Sequence, residues 1–264
     1  MLNNVVLKVN NVTKRFLKSK LKYQTFREYF WNLPHEIYER LKSILNISSS
    51  YQTRNQNTFT VLEDISFEVK RGEFVSIIGK NGSGKSTLLK ILAGIYIPDD
   101  GNIEVYGKII PFLELGVGFN TELTAKENVY LNGIVLGLTR KEVDQFYDQI
   151  IDFAEVREFE NMKLKYFSSG MQVRLAFSVA IHAQGDIYLL DEVFAVGDIN
   201  FQKKALDAIH QIIKSGKTII YVGHGMDTVR KYSSNVIYLK EKKIAATGIS
   251  AIDTYVADQS SSGN

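Results

Sequence analysis

The segment at residues 79–87 constrains the fold of this chain more than any other stretch. It reads Gly-Lys-Asn-Gly-Ser-Gly-Lys-Ser-Thr and fits the pattern G-x-x-x-x-G-K-[ST]. The residues before it, 74–78, read as a buried strand, and the apolar residues after it, 88–92, indicate a helix. This order predicts a loop whose backbone N–H groups cradle phosphate oxygens at a helix N-terminus. A glycine-rich turn that binds nothing is the alternative, and the flanking strand and helix disfavour it.

The residue types in this segment suit a nucleotide and its metal ion. The glycines allow a tight backbone turn. Lys85 supplies a positive charge for the β- and γ-phosphates, and the Ser86 hydroxyl is placed to bind Mg²⁺. ATP and Mg²⁺ are therefore the predicted ligands. The candidate ATP-binding residues in this segment are Gly79, Asn81, Gly82, Ser83, Gly84, Lys85, Ser86 and Thr87.

Composition argues against several other classes of protein. The chain has 264 residues, and its apolar fraction of 45% is typical of a globular protein with one large or two small domains. A net charge of +3 is too small to indicate nucleic acid binding, and the absence of cysteine excludes disulfides and thiolate metal sites. The sequence contains no visible secretory signal and no apolar run long enough to span a bilayer. A membrane role would therefore require a partner.

The apolar periodicity of the remaining chain predicts an α/β fold. Residues 187–190 and 218–222 are short continuous apolar runs, as in buried parallel strands. We also predict strands at 5–12, 61–69, 102–105 and 108–113, helical structure over 126–161, helices at 172–182 and 200–214, and disorder at 260–264.

Two acidic residues and one histidine follow the predicted buried strands. Asp191 and Glu192 come directly after 187–190, so the strand can deliver Asp191 to Mg²⁺ and Glu192 can polarise an attacking water. His224 follows 218–222, on the rim where α/β sheets bind ligands. Taken alone these signals are weak, because many core strands end in an acid and a histidine there is more often structural.

A third candidate site precedes the helix predicted at 172–182. Ser168, Ser169 and the backbone of Gly170 can present hydrogen-bond donors to an anion at the helix N-terminus. An ordinary helix cap explains the same residues. Only their combination with the other motifs favours anion binding.

The order of these motifs is similar to that of the nucleotide-binding subunit of ABC transporters. The resemblance covers about residues 5–245, and residues 167–171, Phe-Ser-Ser-Gly-Met, occupy the place of the family's Leu-Ser-Gly-Gly-Gln signature. It implies a P-loop ATPase domain at 1–245, with a helical subdomain at about 120–182, a helical insertion at 17–58 and a short tail at 246–264.

Within that family, two subunits form a head-to-tail dimer with two ATP molecules at the interface. The resemblance implies that Ser168, Ser169 and Gly170 contact the γ-phosphate of ATP bound to the other subunit. It places Asp198 in the segment that links the two sites. The expected assembly is a homodimer of ATPase subunits bound to an integral-membrane permease, without nucleic acid.

The resemblance also assigns roles to individual residues. Lys85, Glu192 and His224 are the expected catalytic residues, with His224 as the switch histidine, and the Phe16 ring is expected to stack on adenine. The chain departs from the family in one loop, because the usual glutamine is missing from the sequence Phe-Leu-Glu-Leu-Gly-Val-Gly-Phe at 112–119. Glu114 is the candidate to take over its role.

The departures from the family's usual pattern indicate which class of substrate to expect. The missing glutamine, the Ser-Ser-Gly-Met cap and the basic insertion resemble subunits that export lipid-linked polysaccharides such as O-antigen, teichoic acid or capsule. We therefore expect a peripheral ATPase at the cytoplasmic face of the inner or plasma membrane that powers export of such a glycan. One alternative is an ABC subunit that exports a drug or a simple lipid. Another is a soluble ABC-type ATPase that acts on nucleic acid or ribosomes, which a single phosphate loop without heptads disfavours.

The insertion carries a pattern of its own. Within residues 22–45, apolar and aromatic residues recur every three or four positions, which predicts an amphipathic helix that kinks or restarts at Pro34. Basic residues, among them Arg27, Arg40 and Lys42, lie off this stripe. The helix is expected either to complete the core or to lie at the membrane surface, where its cations meet lipid or glycan phosphates.

Overall fold

A computed structural model describes residues 4–17, 58–113, 115–191, 197–223 and 225–261. The chain divides into two units, one formed by Met1–Lys14 with Val61–Asn264 and the other by Arg15–Thr60. The fold below is that of the first unit. The predicted helical insertion at 17–58, including the amphipathic helix, lies outside the described residues except for its two end positions.

Within the described part of the chain, nine strands form two sheets. The strands are β1 (Val5–Leu17), β2 (Thr58–Lys70), β3 (Phe74–Ile78), β4 (Asp100–Val105), β5 (Ile109–Phe112), β6 (Ile187–Asp191), β7 (Thr218–Val222), β8 (Asn235–Lys240) and β9 (Lys243–Thr247). The larger sheet has the order β5-β6-β7-β3-β8-β9, and only β9 runs antiparallel to its neighbour. The smaller sheet has the order β2-β1-β4. The predicted α/β class is confirmed.

Seven α-helices are present in the described ranges. They are α1 (Lys85–Leu92), α2 (Ala125–Val135), α3 (Arg140–Ala154), α4 (Ser169–His182), α5 (Ile199–Lys214), α6 (Met226–Tyr232) and α7 (Ala251–Ser261). No helix among the described residues is both long enough and apolar enough to cross a membrane.

The larger sheet is covered on both faces, which explains its continuous apolar strands. Alternate residues of β3 enter two different cores, with Phe74 and Ile78 in one and Val75 and Ile77 in the other. The first core is shared with helices α2 to α7, and the second with α1 and the smaller sheet. Parallel strands that are buried on both faces lose the alternation of apolar and polar residues.

The helical structure predicted over 126–161 is confirmed, and it consists mainly of α2 and α3, which are separate because Gly137 takes a left-handed conformation (φ +81°) and Thr139 starts α3 with a capping box to Glu142. One prediction at the level of secondary structure is wrong. The disorder predicted at 260–264 fails for Ser260 and Ser261, which end α7. Residues 262–264 lie outside the described residues.

Candidate nucleotide-binding site

The loop between β3 and α1 has a backbone that only glycine adopts easily. Gly82 and Gly84 have φ angles of +78° and +101°. A Cβ atom at Gly84 would also lie 2.6 Å from Leu62 Cδ2 and 3.0 Å from the carbonyl oxygen of Val61, whereas a Cβ at Gly82 would meet nothing within 4 Å. Conformation therefore requires glycine at both positions, and close packing requires it a second time at Gly84.

A cavity of about 370 Å³ lies between this loop and the carboxyl ends of β6 and β7. Its lining consists of Val61, Asn81, Gly82, Gly84, Lys85, Ser86, Thr87, Asp191 and Val222. Asp191 and Val222 are the last residues of neighbouring parallel strands, so the sheet itself brings them to the loop. The predicted residues Gly79 and Ser83 do not line this cavity.

The Lys85 side chain is held inside the loop by the loop's own backbone. It is only 8% exposed, and its Nζ donates hydrogen bonds to the carbonyl oxygens of Gly79 (2.8 Å) and Lys80 (3.1 Å). These carbonyl groups offset the desolvation of the ammonium group. A full positive charge is thereby fixed beside the N-terminus of α1, where backbone N–H groups lack partners within the helix.

The groups around this cavity suit the phosphates of a nucleotide and a hard cation. Lys85 and the N-terminus of α1 provide positive charge and hydrogen-bond donors. The Ser86 hydroxyl and the Asp191 carboxylate provide oxygen atoms, the type of ligand that Mg²⁺ prefers. The chemistry of the donor set therefore fits ATP together with Mg²⁺.

A second cavity, of about 470 Å³, brings together two segments that are separate in sequence. Ser168, Ser169 and Gly170 line it together with Gly197 and Asp198. The Ser168 hydroxyl accepts a hydrogen bond from the backbone N–H of Met171 (3.2 Å) and so caps α4. Ser168, Ser169 and Gly170 form the serine–glycine cap, which lies at a helix N-terminus as the sequence predicts.

Asp198 is the N-cap residue of α5. Its Oδ1 accepts hydrogen bonds from the backbone N–H groups of Phe201 and Asn200, each at 3.0 Å. These bonds lower the pKa of the Asp198 carboxyl below its ordinary value, with the bond from Phe201 as the main cause. The segment before α5 is therefore anchored by an ionised carboxylate.

Comparison with known proteins identifies the family. Residues 62–195 match the family model described as ABC transporter. The chain belongs to the ABC transporter family. It is accordingly an ATPase with an ABC-type nucleotide-binding fold, and ATP is its nucleotide.

Two relatives and one solved structure illustrate the similarity. The chain is 41% identical over 217 residues to the O-antigen export system ATP-binding protein RfbB of Klebsiella pneumoniae, a match that covers 82% of this chain and 88% of that protein. It is 33% identical over 245 residues to the teichoic acids export ATP-binding protein TagH of Staphylococcus haemolyticus, covering 93% and 85%. A dimeric structure of a post-hydrolysis state of the ATP-binding cassette MJ0796, bound to ADP and Pi, aligns with a TM-score of 0.63 and 23% identity, covering 91% and 97%.

Sequence reasoning missed a basic residue that joins three elements of this ABC ATPase. Arg174 on α4 lies 3.2 Å from Glu155 Oε2 at the end of α3 and 3.7 Å from Asp198 Oδ2, and it stacks over the Phe201 ring at 6.0 Å. It thus ties the helix of the serine–glycine cap to the start of α5. A lone arginine within an apolar helix did not indicate, from the sequence, that it would contact the start of α5.

Some predicted site residues cannot be placed in the same way. Glu114, Glu192 and His224 lie outside the described residues. Phe16 is half-buried near the end of β1, with its ring centroid 6.0 Å from that of Phe59 and an interplanar angle of 33°. The roles that the sequence assigns to these four residues stay predictions.

The ABC ATPase also has an apolar groove between the sheet and the helices α2 and α4. Its volume is about 230 Å³. It is lined by Ala93, Ile95, Pro111, Leu113, Leu115, Gly116, Val117, Asn132, Val135, Leu136, Ala176 and Ala180. Val117 and Val135 on its rim are 55% and 57% exposed. An apolar groove with exposed large side chains at its edge is typical of a surface that binds another protein.

Proposed function

We propose that ATP hydrolysis by this chain powers the export of a lipid-linked polysaccharide across the inner or plasma membrane. The observation that carries the proposal is the similarity to relatives named for the export of O-antigen and of teichoic acids, each over more than 80% of this chain and of the relative. Both polymers belong to the glycans that the sequence resemblance implies. A lipid-linked glycan is therefore the proposed substrate of the complete transporter.

The proposed hydrolytic site combines the loop cavity with residues known only from the sequence. Ser86 and Asp191 would hold Mg²⁺, and Lys85 would bind the β- and γ-phosphates. When bound, the metal ion would supply positive charge to neutralise the charge that develops on the phosphates. Glu192 is the proposed base that orients the attacking water, and His224 is the proposed switch residue next to it.

The proposed assembly is a head-to-tail homodimer. In it, the serine–glycine cap of one subunit would bind the γ-phosphate of ATP held by the phosphate loop of the other. Support comes from the cavity formed by Ser168, Ser169, Gly170 and Asp198, because helix N-terminal donors suit an anion and the loop of the same subunit forms a separate cavity. The MJ0796 cassette is dimeric in its post-hydrolysis state with ADP and Pi, which agrees with this arrangement.

The proposed partner in the membrane is a permease subunit, and this ATPase would be bound to it at the cytoplasmic face. A cytoplasmic segment of the permease would occupy the apolar groove. Export through a bilayer needs membrane-spanning helices, and the described residues contain none. The exposed side chains of Val117 and Val135 at the edge of the groove offer the apolar surface that such a contact would bury.

The function is tested by Glu192→Gln in cells that export the polymer. We expect ATP binding to survive, hydrolysis to fall by roughly 10²-fold as for a lost general base, and the polymer to accumulate inside the cell. Glu158→Gln, at an exposed position shortly after α3, is the control and should leave the rates of ATP hydrolysis and polymer export unchanged. Normal polymer export despite lost hydrolysis would assign the subunit to another substrate, such as a drug or a simple lipid. Normal hydrolysis would place the base elsewhere.

A further inference from the structure

A third cavity borders the phosphate loop on the side of β8 and α7. Its volume is about 500 Å³. Residues 80–83 of the loop, residues 238–242 of β8 and the following turn, and Asp258 of α7 line it. We call it the outer cavity. Asn81 and Gly82 line both this cavity and the proposed nucleotide cavity, so the loop is the wall between the two.

Asp258 joins α7 to β8 through two hydrogen bonds. Its Oδ2 accepts one from the Tyr238 hydroxyl (2.9 Å) and one from Lys240 Nζ (2.8 Å). The Tyr238 ring is almost fully buried and meets Tyr255 of α7 edge-on, with centroids 5.3 Å apart. Both the polar tip and the apolar ring of Tyr238 are therefore held by α7.

The charges around Asp258 strengthen this contact and extend it to the loop. The hydrogen bond from Lys240 is the main cause that lowers the pKa of the Asp258 carboxyl, and the bond from Tyr238 adds to it. The Lys80 ammonium, which belongs to the phosphate loop, lowers the same pKa through space. Asp258 therefore remains ionised near neutral pH and attracts cations on both walls of the outer cavity.

Strand β8 connects Tyr238 directly to the start of the phosphate loop. Tyr238 pairs in register with Ile78, the last residue of β3. One residue further, Gly79 lies so close to the backbone carbonyl of Leu239 that no Cβ atom could fit between them. A shift of β8 would therefore displace the first glycine of the loop.

Packing against β8 adds to the hydrogen bonds that hold the phosphate loop. The Ser83 hydroxyl is buried and has no hydrogen-bond partner among the described residues. A Cβ atom at Gly79 would lie 2.6 Å from Ser83 Oγ, so the two ends of the turn are in contact. A loop that is held by contact with β8 is sensitive to whatever fixes β8.

We infer that Asp258 is a positioning residue for ATP binding, because it fixes the phosphate loop through Tyr238 and β8. The role rests on the proposed use of that loop for ATP and is independent of the exported substrate. We expect Asp258 to affect the affinity for ATP and not the rate of ATP hydrolysis, since Asp258 lines the outer cavity and not the nucleotide cavity.

The test compares Asp258→Ala with Asp253→Ala on the purified full chain. Asp253 is an exposed residue of the same helix and serves as the matched control. For Asp258→Ala we expect the Kd and the KM for ATP to rise roughly fivefold. A hydrogen bond to a charged group contributes more free energy than this, and only part of that free energy reaches the ATP site. The kcat at saturating ATP should stay within about twofold, because the catalytic groups are unchanged. Asp258→Glu should restore part of the affinity.

A second pair of variants separates positioning from simple packing. Tyr238→Phe removes the hydroxyl and keeps the ring, so it should raise the Kd for ATP by a similar factor. Combined with Asp258→Ala it should add little, because both substitutions break the same connection. Full additivity, an unchanged Kd in Asp258→Ala, or the same loss of affinity in Asp253→Ala would each overturn the inference. Failure of the proposed nucleotide site is distinguishable, because the unsubstituted chain would then bind ATP no better than Lys85→Met.

Discussion

Replacing Lys85 by methionine separates the charge of its ammonium group from the packing of its aliphatic stem. The side chain is 8% exposed, and its Nζ donates to the carbonyl oxygens of Gly79 and Lys80. Methionine has a similar length and no charge. The substitution therefore removes the cation from the loop and leaves most of the apolar contacts of the stem in place.

The expected loss of ATP affinity follows from exchanging those two hydrogen bonds for contacts with phosphate. Two unit charges 4 Å apart attract by about 4 kcal/mol at an effective dielectric constant of about 20. Lys85 would face two phosphates, which gives about 8 kcal/mol, and giving up two hydrogen bonds whose donor is charged costs about 3–6 kcal/mol. The net contribution is about 2–5 kcal/mol, and its loss raises the Kd by about 30- to 5,000-fold.

The assay is denaturant unfolding with and without Mg·ATP. At a ligand concentration of 100 times the original Kd, ATP should stabilise the unsubstituted chain by about 2.7 kcal/mol, and a variant that binds 100-fold more weakly by only about 0.4 kcal/mol. Lys141→Met, at an exposed position on α3, is the control and should keep the full effect of ATP. If Lys85→Met were stabilised by ATP as strongly as the control, the assignment of Lys85 to the phosphates would be refuted.

Two further predictions concern the backbone around the site. Gly223→Ala should lower the free energy of unfolding by about 1–3 kcal/mol, because a Cβ atom would collide with the hydroxyl of the buried Tyr221. Gly170→Ala, whose Cβ would meet nothing closer than 3.9 Å, should change it little, and equal effects in urea unfolding would contradict the argument. Because backbone hydrogen bonds lower the pKa of Asp198 in the folded state, its contribution to stability is present above the unfolded pKa near 3.8 and is lost as the pH falls through the folded pKa. Asp198→Asn should therefore reduce the loss of stability between about pH 5 and pH 2; identical pH profiles for Asp198→Asn and the unsubstituted chain would sink this prediction.

The sequence by itself determined the parts of this protein that are local. The strand at 74–78, the glycine-rich loop and α1 follow one another within about twenty residues, and each has a pattern set by its own neighbours. Asp191 could be placed at the loop because an apolar strand that ends in an acid delivers that acid to the carboxyl edge of a parallel sheet. The serine–glycine cap was visible because capping depends on residues within one turn.

Tertiary structure decided the contacts between segments that are distant in sequence. The connection of α7 to the phosphate loop joins Asp258 to Tyr238 and, through the strand register, Tyr238 to Ile78. The bridge from Arg174 to Asp198 likewise joins two helices. Hydrophobic periodicity predicts neither contact, because it reports only which face of an element is buried.

The difference is clearest at Ser83, which lies in the middle of the predicted phosphate loop. Its position in the motif predicts a contact with the nucleotide, which stays a prediction, and the structure shows in addition that Ser83 lines the outer cavity close to Gly79. A loop has two sides, and the side on which each residue lies depends on backbone angles and on the strand packed behind it. Those are properties of the folded chain, since the apolar pattern of a glycine-rich turn carries no period that could specify them.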